Sequence, residues 1–503
     1  MAGACPVAQA AVRPHALFSD HMVLQRGREV AVHGRADPGE TVAVEFAGHT
    51  ATTKADAAGL WRATLPALEA SAEPRDMTLR GTDTVTIHDV LVGDVWLCTG
   101  QSNMAISAGH YSKVPEVKED FAEAKLPLVR QFGVLEHFAD VPQDDVKGEW
   151  LVCTPQMASR FTAVGFYFAR ELHAQTKVPI GIIRSAKGST GIEMWLSQET
   201  LLSLPGDEKM AAQMHESLAA WERDKTAALQ AGKKPGEPDF PPFPFSDKVR
   251  RPRCATLHNG MIAPLAGHAI RGILWYQGEG NAGDGKASQQ YAVRLRALIR
   301  DWRRIFDAPE LPFFYVQLPA YQKPSDDPAG ADPWARMREA QRSVRDVPHT
   351  GMAVTIDIGE ADDIHPRNKA DVGARLARLA LRDVYGKSDP GAGGPSFREM
   401  KVEGDRARLF FDGVGSGLMV GRKEGRAPAA EDGGQPLQRF AVAGADRKWH
   451  WAEASIDGET VVVHATQVPA PVAVRYAFAT NPEGANLFNR DGMPASPFRT
   501  DDW

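Results

Sequence analysis

From residue 92 to about residue 388 the chain repeats one alternation, a short apolar run followed by an amphipathic helical stretch. The apolar runs lie at 95–98, 180–183, 273–276, 313–317 and 352–356. Runs this short, apolar on successive residues rather than on every second one, suit strands of a parallel sheet covered on both faces. Between them Tyr291, Leu295, Leu298, Trp302 and Ile305 recur at helical spacing, a stripe that belongs in a core. A further helix over 371–385 ends at Gly386. The expectation is an α/β fold with a mainly parallel central sheet.

Both flanks read differently. Over 17–91 the period is two, with Val42, Val44 and Phe46 alternating with small or polar neighbours. Turn signals at 37–39 (Asp-Pro-Gly) and 56–59 (Asp-Ala-Ala-Gly) sit between strands, as in a small antiparallel domain. Beyond Pro390 strand texture returns at 408–411, 461–464 and 472–476, so 389–503 is expected to be a second β domain. A length of 503 residues exceeds what one core organises, in keeping with this division. Residues 202–253 interrupt the central alternation with a polar helical stretch and a proline-rich passage, and read as an insertion that lines a substrate cleft or moves. Residues 1–16 form a tail whose small apolar start resembles a trimmed export signal.

The formal net charge is -6, and the longest basic cluster is only 248–253, too small a footprint for a polyanion, so nucleic acid is excluded as a partner. No run of 18 or more apolar residues is present to span a bilayer. Cys5, Cys98, Cys153 and Cys254 are far apart and form no Cys-x-x-Cys pair, which argues against zinc and against a disulfide-dense scaffold while leaving room for one bridge. Cys98, in an apolar run, reads as a buried thiol. No metal or cofactor is expected.

The strongest chemical signal is the apolar strand that runs into Gly100-Gln-Ser-Asn103. It presents Ser102 at the C-terminal edge of the sheet, where α/β folds place their sites, and the glycine permits the sharp turn. A serine needs a base to become a nucleophile, and the base needs an orienting acid. Asp362-Asp-Ile-His365 supplies both, after the strand candidate at 352–356 and at a spacing that lets Asp362 and His365 share one turn.

Two loops complete the site. After the strand at 273–276 comes Gln277-Gly-Glu-Gly-Asn281, where the Gln277 and Asn281 amides are candidates to donate to an oxyanion. Ionised Glu279 cannot donate, and instead orients a neighbour or binds a sugar hydroxyl. The Gly278, Gly280, Gly283 spacing imitates a dinucleotide fingerprint, but no helix opens directly behind it, and Asp301, the acid at the right distance, lies inside a helical stretch. After the strand at 180–183, the glycines of 185–195 let the Gly188 amide approach as a second donor.

These pieces, in this order, resemble the SGNH (GDSL-like) hydrolase superfamily, and the whole chain resembles the sialate O-acetylesterase family within it. The likeness runs through 17–25, 94–104, 259–264, 274–281, 363–366 and 494–498. The resemblance implies a three-layer sandwich with flanking N- and C-terminal β domains, and a carbohydrate acetylesterase that hydrolyses acetyl esters on sugars, of sialic acid or plant polysaccharide, through an acetyl-enzyme. It implies Ser102 as nucleophile, His365 as base and Asp362 as its acid. The Ser102 and Gly188 amides with Gln277 or Asn281 would form the oxyanion hole, Gln277 favoured because it stands at the strand end. Gln101, Asn103 and Glu279 would contact substrate.

The chain departs from the family at Gly280, where serine is common, and over Gly188-Ser-Thr-Gly191, where Gly-Gly-Thr-Pro is common. Family resemblance also implies a periplasmic or secreted protein; it leaves the oligomeric state open. Two other functions compete: a catalytically inactive carbohydrate-binding protein on this scaffold, and a short-chain lipid esterase. The intact Ser102, Asp362 and His365 count against the first, and the polar, proline-rich insertion against the second.

Overall fold

The computed structural model describes residues 12–205, 208–233, 236, 254–283 and 285–503. The first eleven residues, Cys5 among them, most of the proline-rich passage and the basic cluster at 248–253 lie outside the described residues.

The central sheet is built from β1 (Thr84–Gly100), β2 (Leu126–Gly133), β3 (Trp150–Cys153), β4 (Ile180–Ala186), β5 (Gly272–Tyr276), β6 (Phe313–Val316) and β7 (Thr350–Ala353). Their spatial order is β3-β2-β4-β1-β5-β6-β7. Every pair is parallel except β3 with β2, which closes one edge antiparallel. Each of the five apolar runs contributes to this sheet, the last only at Met352 and Ala353; β2, broken by Pro127, Arg130 and Gln131, does not show as an apolar run, and β3 is a strand of four residues.

Helices cover both faces. The helices used below are α1 (Ser102–Ala105), α2 (Ala163–Thr176), α3 (Glu208–Gln230, packed on the short helix Gln198–Leu202), α4 (Gly285–Ile305), α5 (Pro333–Arg342) and α6 (Lys369–Asp383). On one face Trp96 of β1 meets Phe168 of α2, ring centroids 5.1 Å apart. On the other Trp275 of β5 meets Trp302 of α4 at 5.6 Å, which seats the predicted helical stripe in the core. Parity along the strands accounts for the split: Leu274 pairs with Cys98, two residues from Trp96 and so on its face, whereas Trp275 pairs with Thr99. No described helix is long and apolar enough to cross a membrane.

β1 is 17 residues long and joins the N-terminal strands to the central sheet. Its first half pairs antiparallel with Ser71–Arg80, which in turn pairs with Thr41–Phe46. Val23–Gln25 runs parallel to Leu91–Gly93 of the same strand. Buried Asp94 stitches this junction: Arg26 and Arg271 both reach its carboxylate, and the Tyr385 hydroxyl beyond the end of α6 donates to it at 2.8 Å. The C-terminal strands form three small sheets around their own apolar core, including Leu409, Phe440, Val461, Tyr476 and Phe498. They are tied to the central region by Arg338 of α5, whose buried guanidinium donates to the carbonyls of Leu318, Pro319, Ala479 and Thr480.

Candidate active site

β1 ends at Gly100, whose φ of 134° lies where other residues are strained. A Cβ there would overlap the backbone of Tyr276 on β5, so glycine lets the two strand ends close and Gln101 N donate to Tyr276 O at 2.9 Å. The chain then turns directly into α1. Ser102 is its first residue, so the Ser102 amide has no intrahelical acceptor.

Ser102 Oγ lies 2.9 Å from His365 Nε2. With the imidazole proton on Nδ1, Nε2 accepts from the serine hydroxyl, the arrangement a general base requires. Residues 263 positions apart are thus brought into contact by the ends of two parallel strands of one sheet. Burial, then the Lys369 ammonium, lower the pKa of His365, against the opposing pull of Asp363.

The acid beside His365 differs from the expected one. Asp363 Oδ1 stands 3.6 Å from His365 Nδ1 and accepts from His365 N at 2.8 Å. Asp362 is exposed and makes no ion pair with His365. A bridge between Glu360 and Asp363 turns this loop inward at Asp363, one residue later than a helical spacing of three suggests.

Gly188 lies over Ser102: a Cβ on it would come within 3.3 Å of Ser102 Cβ. The loop is held there by Lys187 N, which donates to Gly100 O at 3.0 Å. Neither Gly188 N nor Ser102 N is taken by a backbone carbonyl among the described residues.

Gln277 and Asn281 come together with their amides turned to protein acceptors, and Gln277 has no N–H left to give. Gln277 Nε2 donates to Thr190 O at 3.0 Å and to Asn281 Oδ1 at 2.8 Å. Asn281 Nδ2 goes to both oxygens of Glu193, at 2.8 and 3.1 Å. The expectation that Gln277 completes an oxyanion hole is therefore corrected, and Asn281 is held by Glu193 and Ile192 N: the pair braces the loop at 190–192. That packing also accounts for Gly280, since a Cβ there would overlap Thr190 O. Gln101 differs, for its Oε1 accepts from Gly280 N at 2.9 Å while its Nε2 has no protein acceptor among the described residues.

Asn103 and Glu279 are also corrected, from substrate contacts to buried supports. Asn103 is fully buried; its Nδ2 donates to Glu279 Oε1 and to Ile364 O, the latter at 3.0 Å. Burial raises the pKa of Glu279, and its Oε2 has no hydrogen-bond partner among the described residues. The sequence reading missed Lys369, which reaches Asn103 Oδ1 from the start of α6 at 2.5 Å. It also missed Tyr111, whose hydroxyl donates to His365 O at 3.4 Å. No local motif flags either one. Cys98 is buried under this region, and burial pushes its thiol pKa up. Among the described residues no group of His, Cys, Asp and Glu gathers as a metal site would need.

Comparison with known proteins places the chain among carbohydrate esterases. The profile of a family described as carbohydrate esterase, sialic acid-specific acetylesterase, matches residues 92–229 and 243–382. A sialate O-acetylesterase of Mus musculus is 27% identical over 96% of this chain and 93% of its own length. The Homo sapiens sialate O-acetylesterase is 29% identical over 62% of this chain and 57% of its own length. A crystal structure of a carbohydrate acetylesterase from Xanthomonas citri aligns over 98% of this chain and 100% of its own, with 38% identity and a TM-score of 0.81.

Proposed function

This chain belongs to the sialic acid-specific acetylesterase family of carbohydrate esterases and is an esterase, and from that premise we propose that it removes acetyl groups from sugar hydroxyls with Ser102 as nucleophile and His365 as base. The observation that carries the mechanism is the 2.9 Å contact between Ser102 Oγ and His365 Nε2. On this reading the fold is the three-layer sandwich of the SGNH hydrolases, with the reaction at the C-terminal ends of β1 and β5 and beside the loops after β4 and β7.

Ser102 Oγ attacks the ester carbonyl carbon as its proton passes to His365 Nε2. The oxyanion so formed is held by the Ser102 and Gly188 amides, with Gln101 Nε2 free to add a third donor; one such donor is worth about 10²- to 10³-fold in rate. The tetrahedral intermediate collapses, the bond to the sugar oxygen breaks, and that oxygen leaves with the proton from His365. Water, deprotonated by His365, then attacks the acetyl-serine and releases acetate. Asp363 stabilises the imidazolium in both halves. A base so placed contributes about 10²- to 10⁴-fold.

The test is acetate release from 4-nitrophenyl acetate, acetylated polysaccharides and acetylated sialic acids by the wild type and by Ser102→Ala. The expected result is release by the wild type and loss of more than about 10³-fold in the variant. Undiminished release by Ser102→Ala overturns the mechanism. Faster cleavage of octanoyl than of acetyl nitrophenyl esters overturns the carbohydrate assignment in favour of a lipid esterase.

A further inference from the structure

Beneath the Ser102–His365 pair lies a polar cluster that the steps above leave idle. Lys369 is 1% exposed, and its Nζ donates to Asn103 Oδ1 at 2.5 Å. The same ammonium stands 5.7 Å from the Tyr111 ring centroid and 5.6 Å from that of Tyr276. Asn103 relays the contact through its Nδ2 to Ile364 O and to Glu279. Asn103 follows the nucleophile directly and Ile364 directly precedes the base, so this one amide, held from below by Lys369, joins the two catalytic loops. A buried ammonium is strongly unfavourable unless hydrogen bonds and counter-charge offset it, and an apolar side chain of equal length would fill the space without that penalty. The charge itself therefore needs a role.

We propose that Lys369 is a positioning residue for the hydrolysis, one that fixes Asn103 across the Ser102 and His365 loops and holds positive potential on the imidazole, favouring its neutral, proton-accepting form. This rests on the Ser102–His365 mechanism proposed above.

The charges around both groups are consistent with that role. Lys369 and His110 disfavour protonation of His365, while Asp363 favours it. On Lys369 itself burial brings the pKa down to about 7, opposed by Glu279, Asp363 and Glu360. In the acid range, where His365 is at risk of protonation, Lys369 is thus charged. At alkaline pH it loses its charge, but there the imidazole is neutral without help.

The experiment is the pH profile of kcat/KM for Lys369→Met, Lys369→Gln and Lys369→Arg beside the wild type. Loss of the charge in the Met and Gln variants is expected to move the acid limb to higher pH by about half to one unit, while Arg, which keeps the charge, leaves it at or below the wild-type position. A limb unmoved in the neutral variants, with kcat lowered equally at every pH, would mean a structural role and overturns the proposal. Gln retains a donor to Asn103 and so guards against simple misfolding of the Met variant. Independently of any substitution at 369, NMR titration of the His365 imidazole in the wild-type chain is expected to give a pKa below the ordinary value of about 6.5; a value at or above it overturns the proposal. Failure of the underlying mechanism is distinguishable, since it shows as activity retained by Ser102→Ala whichever way the limb moves.

Discussion

Asp363, and not its neighbour Asp362, turns its carboxylate to His365, with Oδ1 3.6 Å from Nδ1 and 2.8 Å from the His365 amide. One oxygen thus holds the loop by a hydrogen bond and stands at ion-pair distance from the imidazole. Asp363→Asn should lower kcat/KM by at least about tenfold, since it removes the charge that stabilises the imidazolium. Asp362→Asn should leave kcat/KM within about twofold, as expected for an exposed side chain without that contact. Steady-state kinetics on an acetyl ester decide it, and the reverse ranking would return the role to Asp362.

The His365 pKa is lowered, first by burial and then by Lys369. The active form of a base is the unprotonated one, so a lowered pKa keeps the enzyme active further into acid. The acid limb of kcat/KM is expected to have its midpoint below the ordinary histidine value of about 6.5. A midpoint at 7 or above would contradict the burial seen here.

The fold was legible wherever one strand or helix carries its own pattern. The meeting of Ser102 and His365 could be anticipated because an apolar strand runs straight into a glycine turn at Ser102 and His365 follows another strand of the same sheet. What failed to show were choices between neighbours and between the two sides of a loop. Asp362 and Asp363 differ by one step of backbone, set by the Glu360–Asp363 bridge rather than by helical spacing. Gln277 stands at a strand end as expected, but the Tyr291 hydroxyl from α4 donates to its Oε1 at 2.8 Å and Thr190 takes its N–H, so the amide faces into the structure. Lys369 touches Asn103 across 266 residues, a pairing that no local motif encodes.

Gln277→Met tests that inward orientation. It leaves Thr190 O without its donor and takes one hydrogen bond each from Asn281 Oδ1, which keeps Ile192 N, and from the Tyr291 hydroxyl, which keeps Gln277 O, and should destabilise the chain by about 1 to 3 kcal/mol, read as a lower Tm. An oxyanion donor would behave in the opposite way, with unchanged Tm and kcat lower by about 10²- to 10³-fold.

Gly188→Ala tests the loop above the nucleophile. The added methyl would stand 3.3 Å from Ser102 Cβ, tight enough to push it by a few tenths of an ångström. Because a displacement of about 1 Å can cost 10²-fold, kcat should fall by about 10- to 100-fold while Tm changes little. Full activity in Gly188→Ala would remove this loop from the oxyanion site.

Asp94 carries a larger share of stability than of chemistry. Its carboxylate is fully buried and takes hydrogen bonds from Arg26, Arg271, Gln25 and the Tyr385 hydroxyl. Burial alone would raise its pKa, but the Arg26 hydrogen bonds, the Arg271 charge and Tyr385 more than offset this and hold it below the usual carboxylate range. A carboxyl depressed in the folded state stabilises that state fully above the unfolded pKa of about 3.9, and the contribution disappears as pH falls through the lower folded value. Asp94→Asn leaves two guanidinium groups without their counter-charge and should cost about 3 kcal/mol at neutral pH, lowering Tm by several degrees. As the pH is lowered from 4 towards 2 the Tm gap between wild type and variant should narrow, because only the wild type loses an ion pair there. A gap that stays constant from pH 7 to pH 2 would mean that Asp94 acts by packing alone, and thermal unfolding of both proteins across that range distinguishes the two.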